Sequence, residues 1–184
     1  MLRSIQKPSK DEYPPYSNTY MELVADDGAV LQGMKDSFSK IKKFIYGLPE
    51  DKLYHRYAEG KWSIKEILVH IVDDERIFAY RALRYARSDK TELHSFEQDA
   101  YAFNSKANGR SLESIFDEYE AVRHSTIAMF NGFPEEAFMR WGANTGNVNV
   151  RTVRALAYHI AGHELQHMKI IKERYLSPVK IGVL

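Results

Sequence analysis

Three histidines at steps of four, His159, His163 and His167, stand in the stretch AYHIAGHELQHMKIIKERYL, residues 157–176. At helical pitch successive imidazoles lie about 40° apart around the axis and one turn apart along it, so the three share a face. Val153, Leu156, Ile160 and Ile170 fall on that same face, which is the apolar stripe this helix would turn toward a core. An imidazole placed there loses its water, and a buried polar group without a partner costs roughly 1–3 kcal/mol. A divalent cation is a partner that several imidazoles can share.

Open sites for zinc or nickel take three protein nitrogens and leave a position for water or substrate. His163 and His167, at i and i+4, supply two from one helix, and the third must come from another. His70 is the best candidate, because it sits about two turns inside the cap of a second long helix, on the shoulder of that helix's buried stripe. His55 and His94 fall in loops, and His124 lies off the apolar stripe of its helix, facing solvent. The expected ligand set is therefore His70, His163 and His167. His159 has three readings: a fourth ligand, a residue that orients a ligand, or a core histidine hydrogen-bonded to a carbonyl, which is the commonest fate of a buried histidine.

HELQH, residues 163–167, also matches the H-E-x-x-H pattern in which two histidines hold zinc and the glutamate is a general base. The downstream ligand of ordinary peptidases is missing, since Ile170 stands where an extended motif has glycine and only 17 residues follow His167. Glu164 remains the candidate general base, against a plainer reading as a solvated or lysine-paired helix carboxylate. Asp73 and Asp74 read either as carboxylates that orient a ligand or, more commonly, as exposed ion-pair members. Trp62 and Trp141, each just before a long helix, read as packing anchors.

The elements that must position these residues follow from periodicity. Pro8, Pro14 and Pro15 make residues 1–18 an extended surface arm. Thr19 and Glu22 form a candidate capping box, and a helix is expected from about Asp27 to Tyr46, with Leu31, Met34, Phe38, Ile41 and Ile45 inward. Ser63 and Glu66 form a second box, opening a helix that should run to about Arg87 on Ile64, Ile67, Ile71, Phe78 and Ala82. Residues 88–110 read as a long loop with one helical turn near Asp99 to Phe103. Ser111 caps a third helix, ended by Asn131, Gly132 and Pro134. Residues 133–149 carry turn chemistry and a candidate hairpin, the last helix starts near Asn149 or Val150, and 177–184 form a tail that docks on the bundle. Four long amphipathic helices without a convincing strand predict an all-α four-helix bundle.

A chain of 184 residues fits one domain, residues 1–184, able to bury about 70% of the surface its unfolded form exposes. The absence of cysteine excludes disulfides, thiolate zinc sites and a cysteine nucleophile, leaving imidazole and carboxylate as ligands. A formal net charge of +1 suggests neither nucleic acid nor an anionic membrane as partner. With no apolar leader or run of about 18 apolar residues, the expected location is the cytoplasm.

Taken together, GKWSIKEILVHIVDDERIFAYRALRYAR, SFEQDAYAFNSKANGRSLESIFDEYEAVR and VRTVRALAYHIAGHELQHMKIIKERYL resemble the second helix, central loop with third helix, and last helix of the DinB/YfiT-like metal-binding proteins. The resemblance spans roughly residues 27–176 and sets the family's ligands on His70, His163 and His167. One departure is Gln166, where many relatives have histidine. The resemblance implies a divalent metal, zinc or nickel, often a homodimer, and for characterised relatives thiol-dependent S-transfer or isomerisation. It therefore points to a transferase using a low-molecular-weight thiol on a small electrophile. Metal-assisted hydrolysis and a non-catalytic metal-binding stress protein are the alternatives.

Overall fold

The computed structural model describes residues 1–143 and 150–176. In chain order it has α1 (Asn18–Met21), α2 (Val30–Tyr46), α3 (Glu50–Tyr54), α4 (Ile64–Ala86), α5 (Gln98–Asn104), α6 (Leu112–Asn131), β1 (Trp141–Gly142), β2 (Arg151–Thr152) and α7 (Val153–Ile170). Three of the long helices, α4, α6 and α7, start at side-chain caps. Ser63 Oγ accepts from the Glu66 N–H while the Glu66 carboxylate accepts from the Ser63 N–H at 2.7 Å, closing the expected box. Ser111 and Thr152 cap α6 and α7 through the Ser114 and Ala155 N–H groups.

The bundle is built by α2, α4, α6 and α7. α4 packs on α6 and α7, and α2 packs on the same two, so α2 and α4 lie on one diagonal. One apolar cluster gathers Met34, Phe78, Phe130, Leu156 and Ile160, and a second gathers Ile45, Ile64, Leu68, Phe116 and Met168. The second cluster draws on the N-terminal halves of α4 and α6 and the C-terminal halves of α2 and α7, so α4 and α6 run parallel and α4 opposes α7. A parallel neighbour needs a long return along the bundle, which is why residues 87–111 are long and carry α5. Between the clusters runs a buried polar layer: His70, Asp74, Glu75, Arg123, His163 and Glu164.

Differences from the sequence reading sit at the edges. The N-terminal segment is partly buried instead of lying extended on the surface, because Ile5 and Tyr13 enter the core and Glu12 pairs with Arg154. Ile5 N–H also donates to Gly28 O at 2.9 Å, and its carbonyl accepts from the Tyr158 hydroxyl at 2.9 Å. Thr19 does not cap a helix; it lies inside α1, which continues a 3₁₀ turn from Pro15. α1 lies against α7 at Gly162, where a Cβ would come within 2.2 Å of the Tyr20 carbonyl oxygen. The hairpin pairs Trp141 with Thr152 and Gly142 with Arg151, later than expected, and α7 therefore starts at Val153. Asn149 and the tail 177–184 lie outside the described residues. None of the described helices is long and apolar enough to cross a membrane.

Candidate metal centre

Because α4 and α7 are antiparallel neighbours, residue 70, about two turns into the first, meets residues 163 and 167 in the C-terminal half of the second. His163 Nε2 lies 3.1 Å from His70 Nε2 and 3.1 Å from His167 Nε2. The three form a group whose ligand atoms all lie within 4.8 Å of one another, as the sequence reading expects. A tetrahedral cation with metal–nitrogen bonds of about 2.0–2.1 Å would hold its nitrogens about 3.3 Å apart, close to what these residues present. His70 and His163 are buried, while His167 is partly open and lines a cavity.

The electrostatics suit neutral ligation. Burial, and then the neighbouring His163, push the His70 pKa down to about 4, and the same causes in the same order push His167 well below its ordinary range. A cation needs neutral imidazoles, and these stay neutral far below pH 7. Nδ1 of His70 and Nδ1 of His167 have no hydrogen-bond partner among the described residues. Their rings are set by packing on Trp62, at 4.6 Å for His70 and 6.4 Å for His167. Trp62, expected as a packing anchor, is thus a wall of the site.

His163 is oriented differently. Asp74 Oδ2 lies 3.3 Å from His163 Nδ1, so the carboxylate favours the tautomer that carries its proton on Nδ1 and leaves Nε2 as the donor atom. The commoner expectation for Asp74, an exposed ion pair, is not met. One turn from His70, it shares that residue's inward face and is only 1% exposed. Although burial opposes the charge, His163 and His159 more than offset it and hold the Asp74 carboxyl well below the usual carboxylate range. Asp73 keeps the surface role, half-buried and 4.0 Å from Arg76.

His159 is outside the converging group. Its ring stacks on Phe78 at 3.8 Å and stands edge-on to Tyr20 at 5.0 Å, and its Nε2 is 3.6 Å from Asp74 Oδ2. Neither ring nitrogen has a hydrogen-bond partner among the described residues, so it is not the carbonyl-bonded core histidine of the common reading. Burial lowers its pKa to about 4. A pH effect follows for the metal-free protein. The unfolded chain protonates these imidazoles near 6.5, whereas folded His70 and His159 wait until about 4. Between those values the unfolded state binds more protons, so stability is full above the window and falls as pH drops through it. Each imidazole should contribute a loss on the order of 2 kcal/mol by pH 5. Urea melts of chelator-treated protein at pH 7 and pH 5 measure this, and equal midpoints would refute it.

Glu164, the candidate base, is placed elsewhere. Position 164 is about 100° around α7 from His163, and there its fully buried carboxylate accepts from Ser37 Oγ, the Tyr119 hydroxyl and Arg123 Nη2. It does not line the cavity beside His167. Arg123 also donates to Glu75, with Nη2 2.9 Å from Oε2, and to the Met34 carbonyl at 2.7 Å. Sequence reasoning misses this network, although an arginine on the apolar stripe of α6 is a visible signal. His55 and His94 lie outside the helices and His124 is exposed, as expected.

The cavity beside the histidines has a volume of about 330 Å³ and is bounded by Tyr57, Lys61, Trp62, Asp99, His167 and Tyr175 among others. Trp62 Nε1 donates to Asp99 Oδ1 at 3.1 Å, tying the aromatic wall to α5. This sets the three-histidine group, through His167, beside a recess of small-molecule size.

Comparisons with known proteins bear on the family and the fold. A family model described as the DinB superfamily matches residues 36–171. A protein of Oceanobacillus iheyensis named "Putative metal-dependent hydrolase" is 25% identical over 136 residues, covering 72% of this chain and 77% of that protein. The solved structure of YfiT from Bacillus subtilis, described as "a probable metal-dependent hydrolase with an unusual four-helix bundle topology", superposes with a TM-score of 0.72 at 11% identity over 91% of each chain. The fold agrees throughout, and with the match running from α2 to the end of α7, this chain belongs to the DinB superfamily.

Proposed function

We propose that this chain is a metal-dependent hydrolase of small molecules, with a divalent cation, zinc or nickel, held by His70, His163 and His167. The observation that carries the reading is the meeting of three imidazole Nε2 atoms at the edge of a cavity of about 330 Å³. A cation bound there would polarise an electrophile and lower the pKa of a coordinated nucleophile toward neutrality. Asp74, with Oδ2 3.3 Å from His163 Nδ1, favours the donating tautomer of that ring, and Trp62 packs on His70 and His167 while walling the recess. Lys61 and Asp99 place opposite charges on the lining, where they can orient a polar substrate. Glu164 is given a structural role, its carboxylate held by Arg123. The names given to the Oceanobacillus iheyensis relative and to YfiT support the same class.

S-transfer from a low-molecular-weight thiol is the second reading, favoured by the removal of Glu164 from the open face. A thiol, with an ordinary pKa of about 8.5, needs far less help to ionise than water at about 15.7. The experiment is a panel of esters, amides and alkylating electrophiles offered to tag-free, metal-loaded protein with and without cellular thiols, chelator-treated protein being the control. Metal-dependent turnover of an ester or amide without thiol is the expected result. Turnover confined to reactions supplied with a thiol would replace hydrolysis by transfer, and inertness throughout would leave a non-catalytic metal protein.

A further inference from the structure

A second feature lies on the far half of α4, away from His70, His163 and His167. Arg76, Tyr80, Arg81 and Arg84, together with the segment 92–94, line a cavity of about 480 Å³. Arg81 and Asp74 are seven residues apart on one helix, so the cavity is displaced from the metal centre by about 10 Å along the axis. Arg81 is only 5% exposed, yet its one hydrogen bond among the described residues runs from Nη2 to the His94 carbonyl at 3.1 Å. Its guanidinium carbon lies 4.8 Å from the Phe78 ring centre, and that of Arg151 lies 5.3 Å from the same ring. Two cations therefore crowd one aromatic side chain.

Among the described residues the neighbouring arginines pair with carboxylates and Arg81 does not. Arg76 pairs with Asp73 and Glu118, and Arg84 pairs with Asp89. No carboxylate among the described residues lies within salt-bridge distance of Arg81. Asp74 acts on it through space, but that carboxylate is set between His159 and His163. The carboxylate lining the cavity, Glu92, is exposed and screened by solvent. Buried charges are normally paired, because desolvation costs several kcal/mol per ion. Burial, with repulsion from Arg151, lowers the Arg81 pKa, and a bound anion would oppose both effects.

We propose that this groove binds the phosphate group of a small molecule, with Arg81 as the central contact and Arg76 and Arg84 at its ends. Phosphate fits better than a carboxylate because a phosphate monoester, with a charge of about −1.5 to −2 and three acceptor oxygens, can contact Arg81 and the flanking Arg76 and Arg84 together, although those two keep their carboxylate partners. The site does not depend on the metal reading, so each can fail alone.

The test is isothermal titration of inorganic phosphate into chelator-treated protein at fixed ionic strength, with acetate titrated in parallel. Chelation removes the metal centre as a competing phosphate site. Saturable binding of phosphate is expected, weakened about tenfold or more in Arg81→Gln and less in Arg84→Gln. If Arg81→Gln does not fold, wild-type protein is modified with phenylglyoxal and mapped by mass spectrometry, where phosphate should protect Arg81 selectively. Absence of saturable binding, equal affinity in Arg81→Gln, or no protection of Arg81 would overturn the site. Acetate binding as tightly as phosphate would overturn the assigned ligand class.

Discussion

Metal affinity is expected to fall at least about 100-fold in His163→Ala, with hydrolysis lost alongside it. This histidine is the hinge of the group, since its Nε2 is 3.1 Å from both other ligand atoms and its Nδ1 faces Asp74. Removing it leaves His70 and His167 on different helices without the nitrogen that links them. Asp74→Asn keeps the shape but weakens the bias toward the donating tautomer, and should cost about 10–100-fold in affinity. His124→Ala, an exposed site, serves as the control. Competition with a chromophoric chelator gives the three constants. Full affinity in His163→Ala would refute the ligand assignment, whatever the activity assays show.

The largest loss of stability should come from Arg123→Met, at about 3–5 kcal/mol. Arg123 is 1% exposed and bridges α6 to Glu75 on α4, Glu164 on α7 and the Met34 carbonyl on α2. Without it two buried carboxylates face each other uncompensated. Burial already raises the Glu75 pKa, against the pull of Arg123, so removing the arginine raises it further. A carboxylate whose folded pKa is raised contributes stability at low pH that is lost as pH rises through its folded value, so the deficit of the variant should grow with pH. Urea melts at pH 5 and pH 8 provide the measurement. A loss under 1 kcal/mol at pH 8 would show that the network is not the brace described.

Much of the site is legible in the sequence because it obeys local periodicity. Steps of four on one helix put His163 and His167 on a common face before any packing is known. The S-x-x-E box at Ser63 sets the start of α4, and with it the depth of His70. Four apolar stripes define the four long helices, and the polar length of residues 88–110 allows the return that parallel neighbours require. The N-terminal segment departs from its sequence reading because its prolines describe a backbone, whereas Ile5, Glu12 and Tyr13 are held by partners far along the chain.

What only the tertiary structure decided concerns side chains whose roles depend on a partner from another helix. Asp73, Asp74 and Glu75 are consecutive carboxylates of similar chemistry, and helix rotation alone sends one to the half-exposed flank, one to His163 and one to Arg123. Glu164 adjoins a candidate ligand in sequence, yet the 100° step turns it into the Arg123 network. His159 repeats the spacing of the other two histidines but meets Phe78 and Asp74 where a ligand would need to meet His70. Sequence therefore determined which faces carry chemistry, through helical period and capping. The placement of each group, in the histidine cluster, in the Arg123 brace or beside the Arg81 cavity, was made by the helix opposite, because the electrostatic energy of a buried group depends on the charges and donors packed around it.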